Sequence, residues 1–179
     1  MGAVLWHITM SLDGFIAGRG DAMDWAFEYP EPKAAVDEVL QSTGAIVLGR
    51  RTYEVANRDR GGFYGGAWSG PSFVVTHTAP ATVPRWMTGT FVTDGIEHAV
   101  ASAKAAAGTK NVVVFGASTA QQCLEAGLLD EILVHVAPVL LGDGVRLFAR
   151  ARGHPIKLEK IGAAESGQLT DLRFRVLRW

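Results

Sequence analysis

Residues 111–141, NVVVFGASTAQQCLEAGLLDEILVHVAPVLL, contain an apolar run, a turn of small residues, a helical segment and a second apolar run. Residues 111–115 predict a buried strand, residues 118–126 a helix, and residues 130–141 a long second strand. The first of these strands is almost wholly apolar, a pattern typical of strands that are covered on both faces of a parallel sheet. This order of elements predicts an α/β fold.

The same alternation continues on both sides of this stretch. Strands are predicted at residues 3–10, 45–48, 72–76 and 90–93, and helices at residues 33–42, from 49 onward, and at 95–107. Residues 156–164 and 169–179 alternate apolar and charged side chains, which predicts an antiparallel hairpin. We therefore expect a three-layer α/β/α domain with a mixed, mainly parallel sheet and an antiparallel C-terminal hairpin. No linker or repeat divides the chain, so residues 1–179 are predicted to form a single domain.

Composition narrows the classes of function. The net charge is −1, which favours neither nucleic acid nor an anionic membrane as a partner. The only cysteine is Cys123, so neither an internal disulfide nor a cysteine-built zinc site is expected, and no other metal site is predicted. No apolar stretch is long enough to span a bilayer, and the first residues lack the basic region of a signal peptide. We expect a cytoplasmic protein.

Two strand-to-helix junctions carry residues that suit phosphate binding. In the first, Gly49, Arg50, Arg51 and Thr52 follow a buried strand, and a helix N-terminus there would offer free N–H groups to an anion. Two arginines can add forked hydrogen bonds to phosphate oxygens. An ordinary helix start with two solvated arginines explains this segment equally well.

The second junction is Gly116, Ala117, Ser118 and Thr119, after the strand at 111–115. A simple N-cap by Ser118 is the alternative explanation. Thr76 and His77 follow a third strand. Ligands of open α/β sheets gather at the carboxyl ends of the strands, where all three segments should meet. Together they favour a dinucleotide with a diphosphate group.

Several motifs resemble known families. The segment SLDGFIA (residues 11–17) resembles the reductase domain of riboflavin biosynthesis, DAMDW (21–25) the active-site loop of dihydrofolate reductase, and GRRTYE (49–54) the phosphate site of that enzyme. Residues 115–148, with LEAGLLDE and APVLLG, resemble the core of both. The chain is similar, over nearly its whole length, to the dihydrofolate reductase-like superfamily and to its RibD C-terminal domain family.

The resemblance implies an NADPH site. Arg50 would pair with the 2′-phosphate, Arg51 and Thr52 with the diphosphate, and Thr76 and His77 would lie beside the adenosine 2′-phosphate. Gly116, Ala117, Ser118 and Thr119 match the second diphosphate loop, where the family's usual Gly-Gly is Gly-Ala. Gly49 belongs to the first loop. The remaining matched positions, which would meet the nicotinamide amide, are Ile16 and Ala17.

The substrate side departs from both families. Dihydrofolate reductases carry an acid five residues after the loop tryptophan, where this chain has Pro30. The riboflavin-pathway reductase usually has Glu-Gly-Gly after the fifth strand, and here Phe115 replaces the glutamate. The zinc-binding cysteines of the deaminase to which that enzyme is often fused are missing. These departures indicate a substrate that differs from both known molecules.

Other candidate residues each have a structural alternative. Asp13 is the candidate catalytic acid, although a turn-forming carboxylate that caps backbone N–H groups explains it as well. The candidate substrate-binding residues are Asp24, Trp25 and Trp68, which could instead solvate a loop or pin loops to the core. Histidines 7 and 135 lie on predicted strands and are interpreted as structural.

The sequence thus predicts an NADPH-dependent reductase of a small heterocyclic or conjugated C=N or C=C substrate. One alternative is the 5-amino-6-(5-phosphoribosylamino)uracil reductase itself, and another is a non-catalytic nucleotide-binding protein of the same fold. A homodimer is expected, because Trp179 ends an apolar strand and the riboflavin-type relatives are dimeric. Trp179 folded back onto its own sheet is the alternative.

Overall fold

The computed structural model describes residues 2–29, 33–59, 63–83, 89–149 and 155–177. Its strands are β1 (Val4–Ser11), β2 (Phe15–Ala17), β3 (Thr43–Gly49), β4 (Ser72–Val75), β5 (Gly89–Val92), β6 (Asn111–Phe115), β7 (Glu131–Ala137), β8 (Val145–Arg146), β9 (Leu158–Ser166) and β10 (Leu169–Val176). The α-helices are α1 (Asp24–Phe27), α2 (Lys33–Ser42), α3 (Arg50–Asp59), α4 (Ile96–Ala107) and α5 (Ala117–Glu125). Short 3₁₀ helices lie at Arg19–Asp21 and Phe63–Gly66.

Eight strands form one sheet in the order β5-β4-β3-β6-β1-β7-β10-β9. Neighbours from β5 to β7 are parallel, whereas β10 pairs antiparallel with both β7 and β9. The predicted mixed sheet with an antiparallel C-terminal hairpin is therefore confirmed.

Side chains of the central strands alternate between two apolar cores. On one face, Val4 and Trp6 of β1 pack with residues of α4 and α5 such as Ala99 and Cys123. On the other face, Leu5 packs with residues of α2 and α3, among them Val39. The buried residues 45–48 of β3 and 112–114 of β6 are apolar at every position, because helical layers cover both faces of these parallel strands. The three-layer arrangement is the predicted one.

Two local expectations were wrong. The strand predicted at residues 130–141 ends at Ala137, because Pro138 has no N–H to continue the ladder. The chain then turns back, and β8 pairs with β2 in a small second sheet that the sequence did not predict. Strands of three and two residues are too short to show a period in the sequence.

The predicted C-terminal hairpin is confirmed: its first strand lies two residues later than predicted, and its second strand begins at Leu169 as predicted and ends at Val176. Trp179, on which the homodimer expectation depends, lies outside the described residues, so that expectation stays a prediction. Of the helices in the described ranges, none is both long enough and apolar enough to cross a bilayer.

Candidate functional site

The two predicted phosphate-binding junctions lie side by side at the carboxyl edge of the sheet. β3 pairs in parallel with both β4 and β6, so that Gly49 lies opposite Val75 and Leu48 opposite Phe115. Each strand leads at once into the next segment of the site, which is α3 after β3, Thr76 after β4, and α5 after β6. The structure therefore brings together the three segments that the sequence singled out at this edge.

Reciprocal glycine–threonine contacts hold the two junctions against each other. A Cβ atom on Gly49 would lie 2.8 Å from Oγ1 of Thr119, and one on Gly116 would lie 2.5 Å from Oγ1 of Thr52. Gly116 also has φ +88°, a conformation that side chains rarely adopt. The two hydroxyls thus use space that only glycine leaves open, and the N-termini of α3 and α5 converge there. We call these four residues the cradle.

The start of α5 has no side-chain cap. The helix begins at Ala117. Its N-cap residue is Gly116, which has no side chain to accept hydrogen bonds from the first N–H groups. Ser118 is the second residue of the helix, where its hydroxyl and carbonyl oxygens accept from the amide of Gln122. The alternative of a simple Ser118 N-cap is therefore not observed. Uncapped first-turn N–H groups beside a second helix N-terminus suit an anion.

The two arginines at the start of α3 already have carboxylate partners. The Arg50 side chain donates to Glu54 at 2.7 Å, with about half of both side chains exposed. Arg51 donates to Asp21 at 2.5 Å, which ties the 3₁₀ turn of the 11–25 segment to α3. Exposed pairs of this kind contribute little to stability and exchange partners readily. Both guanidinium groups therefore remain able to meet a phosphate.

The other predicted cofactor positions lie after β4 and in β2. Thr76 is buried, and its hydroxyl donates to the carbonyl of Thr78, while His77 is exposed. Ile16 and Ala17 are buried in β2. The small sheet of β2 and β8 borders a surface cavity of about 630 Å³ that Ala117 and Ser118 also line.

A larger cavity of about 820 Å³ opens beside the cradle. Residues 7–9 of β1, residues 20–29, α3 and the 3₁₀ turn at Phe63–Gly66 surround it. Its lining is mostly apolar side chains with a few polar groups, as in sites for small organic ligands. Thr52 belongs to both the cradle and the cavity, so a molecule that spans the two would connect them.

The predicted substrate-binding residues divide between this cavity and other places. Asp24 lines the cavity. Trp25 is half-buried outside its lining, and its indole N–H has no acceptor within the described ranges. Trp68 donates to the hydroxyl of Ser72 at 3.3 Å, at the first residue of β4. Because that is the amino-terminal edge of the sheet, Trp68 pins a loop there and does not wall the cavity.

Asp13 does not line the cavity, and its carboxylate orders two turns. It accepts hydrogen bonds from the hydroxyl of Ser11 at 2.6 Å and from the N–H groups of Leu141 and Gly142 at 3.1 and 2.7 Å. These bonds, the one from Ser11 first, lower the pKa of Asp13 to about 2. An ionised carboxylate has no proton to give near neutral pH, so the turn-forming alternative describes Asp13 and the catalytic assignment does not.

A chain of hydrogen bonds leads from the cavity across the sheet. Tyr64 lines the cavity, and its hydroxyl lies 2.8 Å from Nδ1 of His7. Nε2 of His7 lies 2.7 Å from Nε2 of His135, whose Nδ1 lies 2.6 Å from Oδ1 of Asp171. The hydroxyl of Ser166 donates to the other carboxylate oxygen. We call Tyr64, His7, His135 and Asp171 the polar chain.

The polar chain was not predicted from the sequence, because the two histidines were interpreted as separate structural residues. The pairing of strands supplies the missing information, since His135 lies opposite Thr9 on β1 and opposite Asp171 on β10. Burial first, and then the charge of His135, lowers the pKa of His7 to about 3. His7 is therefore neutral at physiological pH.

Known proteins show where the chain belongs. Two Bacillus subtilis (strain 168) proteins without a described function are similar: YwjB, 27% identical and aligned over 94% of both chains, and YyaP, 25% identical over 81% of this chain and 79% of that one. A Shewanella sp. PV-4 structure named for riboflavin biosynthesis is 26% identical, has a TM-score of 0.82, and is matched over 98% of this chain and 99% of its own.

More distant structures share the fold. The Thermotoga maritima diaminohydroxyphosphoribosylaminopyrimidine deaminase/5-amino-6-(5-phosphoribosylamino)uracil reductase is 15% identical with a TM-score of 0.73, and this chain, matched over 98% of its length, spans 57% of that protein. Residues 3–169 match the family described as the RibD C-terminal domain. Both the sheet topology and this match lead to one conclusion: the chain is a member of the RibD C-terminal domain family, with its dihydrofolate reductase-like fold.

Proposed function

We propose that this protein is an NADPH-dependent reductase of a small heterocyclic or conjugated substrate with a C=N or C=C bond. The observation that carries the proposal is the position of Thr52, which is shared by a phosphate-sized cradle and an 820 Å³ cavity. A dinucleotide whose diphosphate lies in the cradle would extend its nicotinamide toward that cavity. The family supports the choice of a pyridine nucleotide.

The residues of the cradle fit a diphosphate. Gly49 and Gly116 leave the backbone open, Thr52 and Thr119 offer hydroxyls, and the uncapped first turn of α5 offers N–H groups. When bound, NADPH supplies a hydride, so the protein needs to orient the reactants, exclude water and provide a proton. The largely apolar lining of the cavity suits the first two of these tasks.

The substrate belongs to the same proposal. The Thermotoga maritima protein is named as a 5-amino-6-(5-phosphoribosylamino)uracil reductase, and that molecule is the first substrate to test. Phe115 borders this cavity where the riboflavin-pathway enzyme usually has a glutamate, which favours a substrate other than this pyrimidine. A nucleotide-binding protein without turnover is the second candidate, favoured by the position of Asp13, the candidate catalytic acid, outside the lining of the cavity.

A two-step experiment tests the proposal. Quenching of tryptophan fluorescence measures NADPH binding, and the absorbance of reduced nicotinamide then follows turnover with 5-amino-6-(5-phosphoribosylamino)uracil, with dihydrofolate, and with a panel of small imines and enones. Binding followed by oxidation with at least one probe supports the reductase. Binding without oxidation by any probe supports the nucleotide-binding protein, and absence of binding overturns both.

Arg50 is expected to make the protein prefer NADPH over NADH. A guanidinium–phosphate contact contributes roughly 1.5–3 kcal/mol. The Arg50→Ala variant should therefore bind NADPH roughly tenfold or more weakly, with its affinity for NADH nearly unchanged. Fluorescence titration with each cofactor measures both constants.

Arg175→Ala is the matched control, because Arg175 is equally exposed and also pairs with a glutamate, Glu159 at 2.7 Å, but on the hairpin. It should leave both affinities as they are. Equal affinity of the wild-type protein for NADPH and NADH would contradict the assignment of Arg50.

A further inference from the structure

We propose that the hydroxyl of Tyr64 donates the proton of the reduction, and that the proton is replaced through His7 from an imidazolium at His135 held by Asp171. The proposal rests on the proposed function, because a hydride acceptor must be present in the cavity. Tyr64 and His7 both line that cavity, and the hydroxyl of Tyr64 is the group that would meet the substrate. His7, His135 and Asp171 act behind it as positioning residues.

The direction of the hydrogen bonds follows from the atoms that meet. The carboxylate of Asp171 can only accept, so Nδ1 of His135 carries a proton. Nε2 of His7 and Nε2 of His135 are 2.7 Å apart, and a single proton lies between them. When His135 is neutral, that proton belongs to His7, whose bare Nδ1 then accepts the hydroxyl proton of Tyr64. Every donor points toward Asp171.

One added proton reverses the direction of the hydrogen bonds that join Tyr64, His7 and His135. It is held on His135, because the carboxylate of Asp171 lies 2.6 Å away and offsets the charge. His7 is the less favourable place, since burial opposes its protonation. With His135 cationic, Nε2 of His7 becomes the acceptor and its Nδ1–H donates to the oxygen of Tyr64. The hydroxyl proton of Tyr64 is then free to point into the cavity.

The reaction step balances with this proton. A hydride from the reduced nicotinamide forms a C–H bond as the π bond of a C=N substrate breaks, and the nitrogen takes the hydroxyl proton of Tyr64. The Tyr64 oxygen takes the proton of His7 Nδ1, and Nε2 of His7 takes the proton of His135. His135 ends neutral, the nicotinamide is oxidised by two electrons, and the substrate has gained one hydride and one proton.

The backbone of Tyr64 supports a role beyond packing. Its φ is +52°, a left-handed conformation that is rare for a bulky residue and costs on the order of 1 kcal/mol. The ring lies against Phe115, with centroids 5.5 Å apart, and close to parallel with the imidazole of His7. In this conformation the hydroxyl lies 2.8 Å from Nδ1 of His7.

Other ionisable groups face the polar chain from the elements around it. On the cavity side they are Asp21, Asp24 and Tyr29, and on the far side they are Glu38 of α2 and Arg173 of β10, which is paired with Glu131.

The cofactor-free protein allows a direct test. In ¹⁵N NMR spectra of the imidazoles at pH 8, we expect His7 to carry its proton on Nε2 and His135 on Nδ1. Asp171→Asn keeps the shape of the side chain, and its amide oxygen can still accept from Nδ1–H of His135, so the neutral tautomers at pH 8 should persist. The variant lacks the negative charge, so the cationic form of His135 should be less populated than in the wild-type protein when the pH is lowered. Wild-type histidines in any other tautomers, or equal populations of cationic His135 in the wild-type protein and the folded variant, would overturn the chain.

The donor itself is tested in single turnovers with whichever probe the wild-type protein reduces. Tyr64→Phe should slow the chemical step roughly 100-fold or more, the usual contribution of a general acid, with NADPH affinity unchanged. Tyr53→Phe, a tyrosine packed on Phe91 in the core, should keep the wild-type rate. A full rate in Tyr64→Phe overturns the donor role alone. No turnover by the wild-type protein overturns the proposed function and the donor role with it, while the NMR result still decides the chain.

Discussion

Replacing Gly116 with alanine is expected to weaken NADPH binding at least a hundredfold and to lower the melting temperature by several degrees. The φ of +88° strains any residue with a Cβ by about 1–3 kcal/mol. The new methyl group would also lie 2.5 Å from Oγ1 of Thr52, so that α3 and α5 must move apart. A hundredfold change corresponds to about 2.7 kcal/mol of binding free energy. Fluorescence titration and thermal unfolding measure the two effects.

Two further variants distinguish the effect of backbone strain at Gly116 from that of the steric clash with Thr52. Gly127 has φ +66° with no atom within 4 Å of its would-be Cβ, so Gly127→Ala should cost some stability and leave NADPH affinity unchanged. Thr52→Ala removes the oxygen that the new methyl group would meet, so the double variant Gly116→Ala/Thr52→Ala should be more stable than Gly116→Ala. Wild-type affinity in Gly116→Ala would exclude the cradle as the diphosphate site.

The fold could be predicted from the sequence because its signals are local. The valines of β6 and the apolar run of β3 mark buried parallel strands, and the alternation in residues 169–176 marks the hairpin. The pairing of β2 with β8 could not be predicted, because it depends on where the chain returns after Pro138. The end of β7 could have been predicted, because a proline interrupts the strand expected there.

The meeting of the two strand-to-helix junctions in the cradle could be predicted for the same reason. Each half of the cradle is contiguous in sequence, at a strand that leads into a helix, and the parallel order of the strands brings the halves together. The polar chain is different, because its four residues belong to four separate segments. Only the register that places His135 opposite Asp171 shows that these side chains meet. The predictions for the single residues Trp68 and Asp13 were misleading for the opposite reason. These residue types suit a binding or catalytic site, but their positions in the fold lie outside it.

The buried histidine of β1 is expected to make stability depend on pH. The pKa of His7 is about 3 in the folded protein and 6.5 in the unfolded chain. Between these values the unfolded state binds a proton that the folded state does not, so the free energy of unfolding falls as the pH falls. The loss from this one group is about 1.4 kcal/mol per pH unit well below pH 6.5. It is absent above that pH.

Urea unfolding at several pH values between 6.5 and 4.5 measures this effect. His7→Gln cannot titrate, so its stability should be lower than that of the wild-type protein at pH 7 but should fall by roughly 2 kcal/mol less over this range. His98→Gln, at an exposed histidine paired with Asp94, should keep the wild-type slope. Asp13 does not interfere, because the pKa of its carboxyl is lowered from 3.8 to about 2 and its contribution is lost only below this range. If the free energy of unfolding changed equally with pH in the wild-type protein and in His7→Gln, the folded protein would accommodate a proton on His7. The direction assigned to the hydrogen bonds of the polar chain would then be wrong.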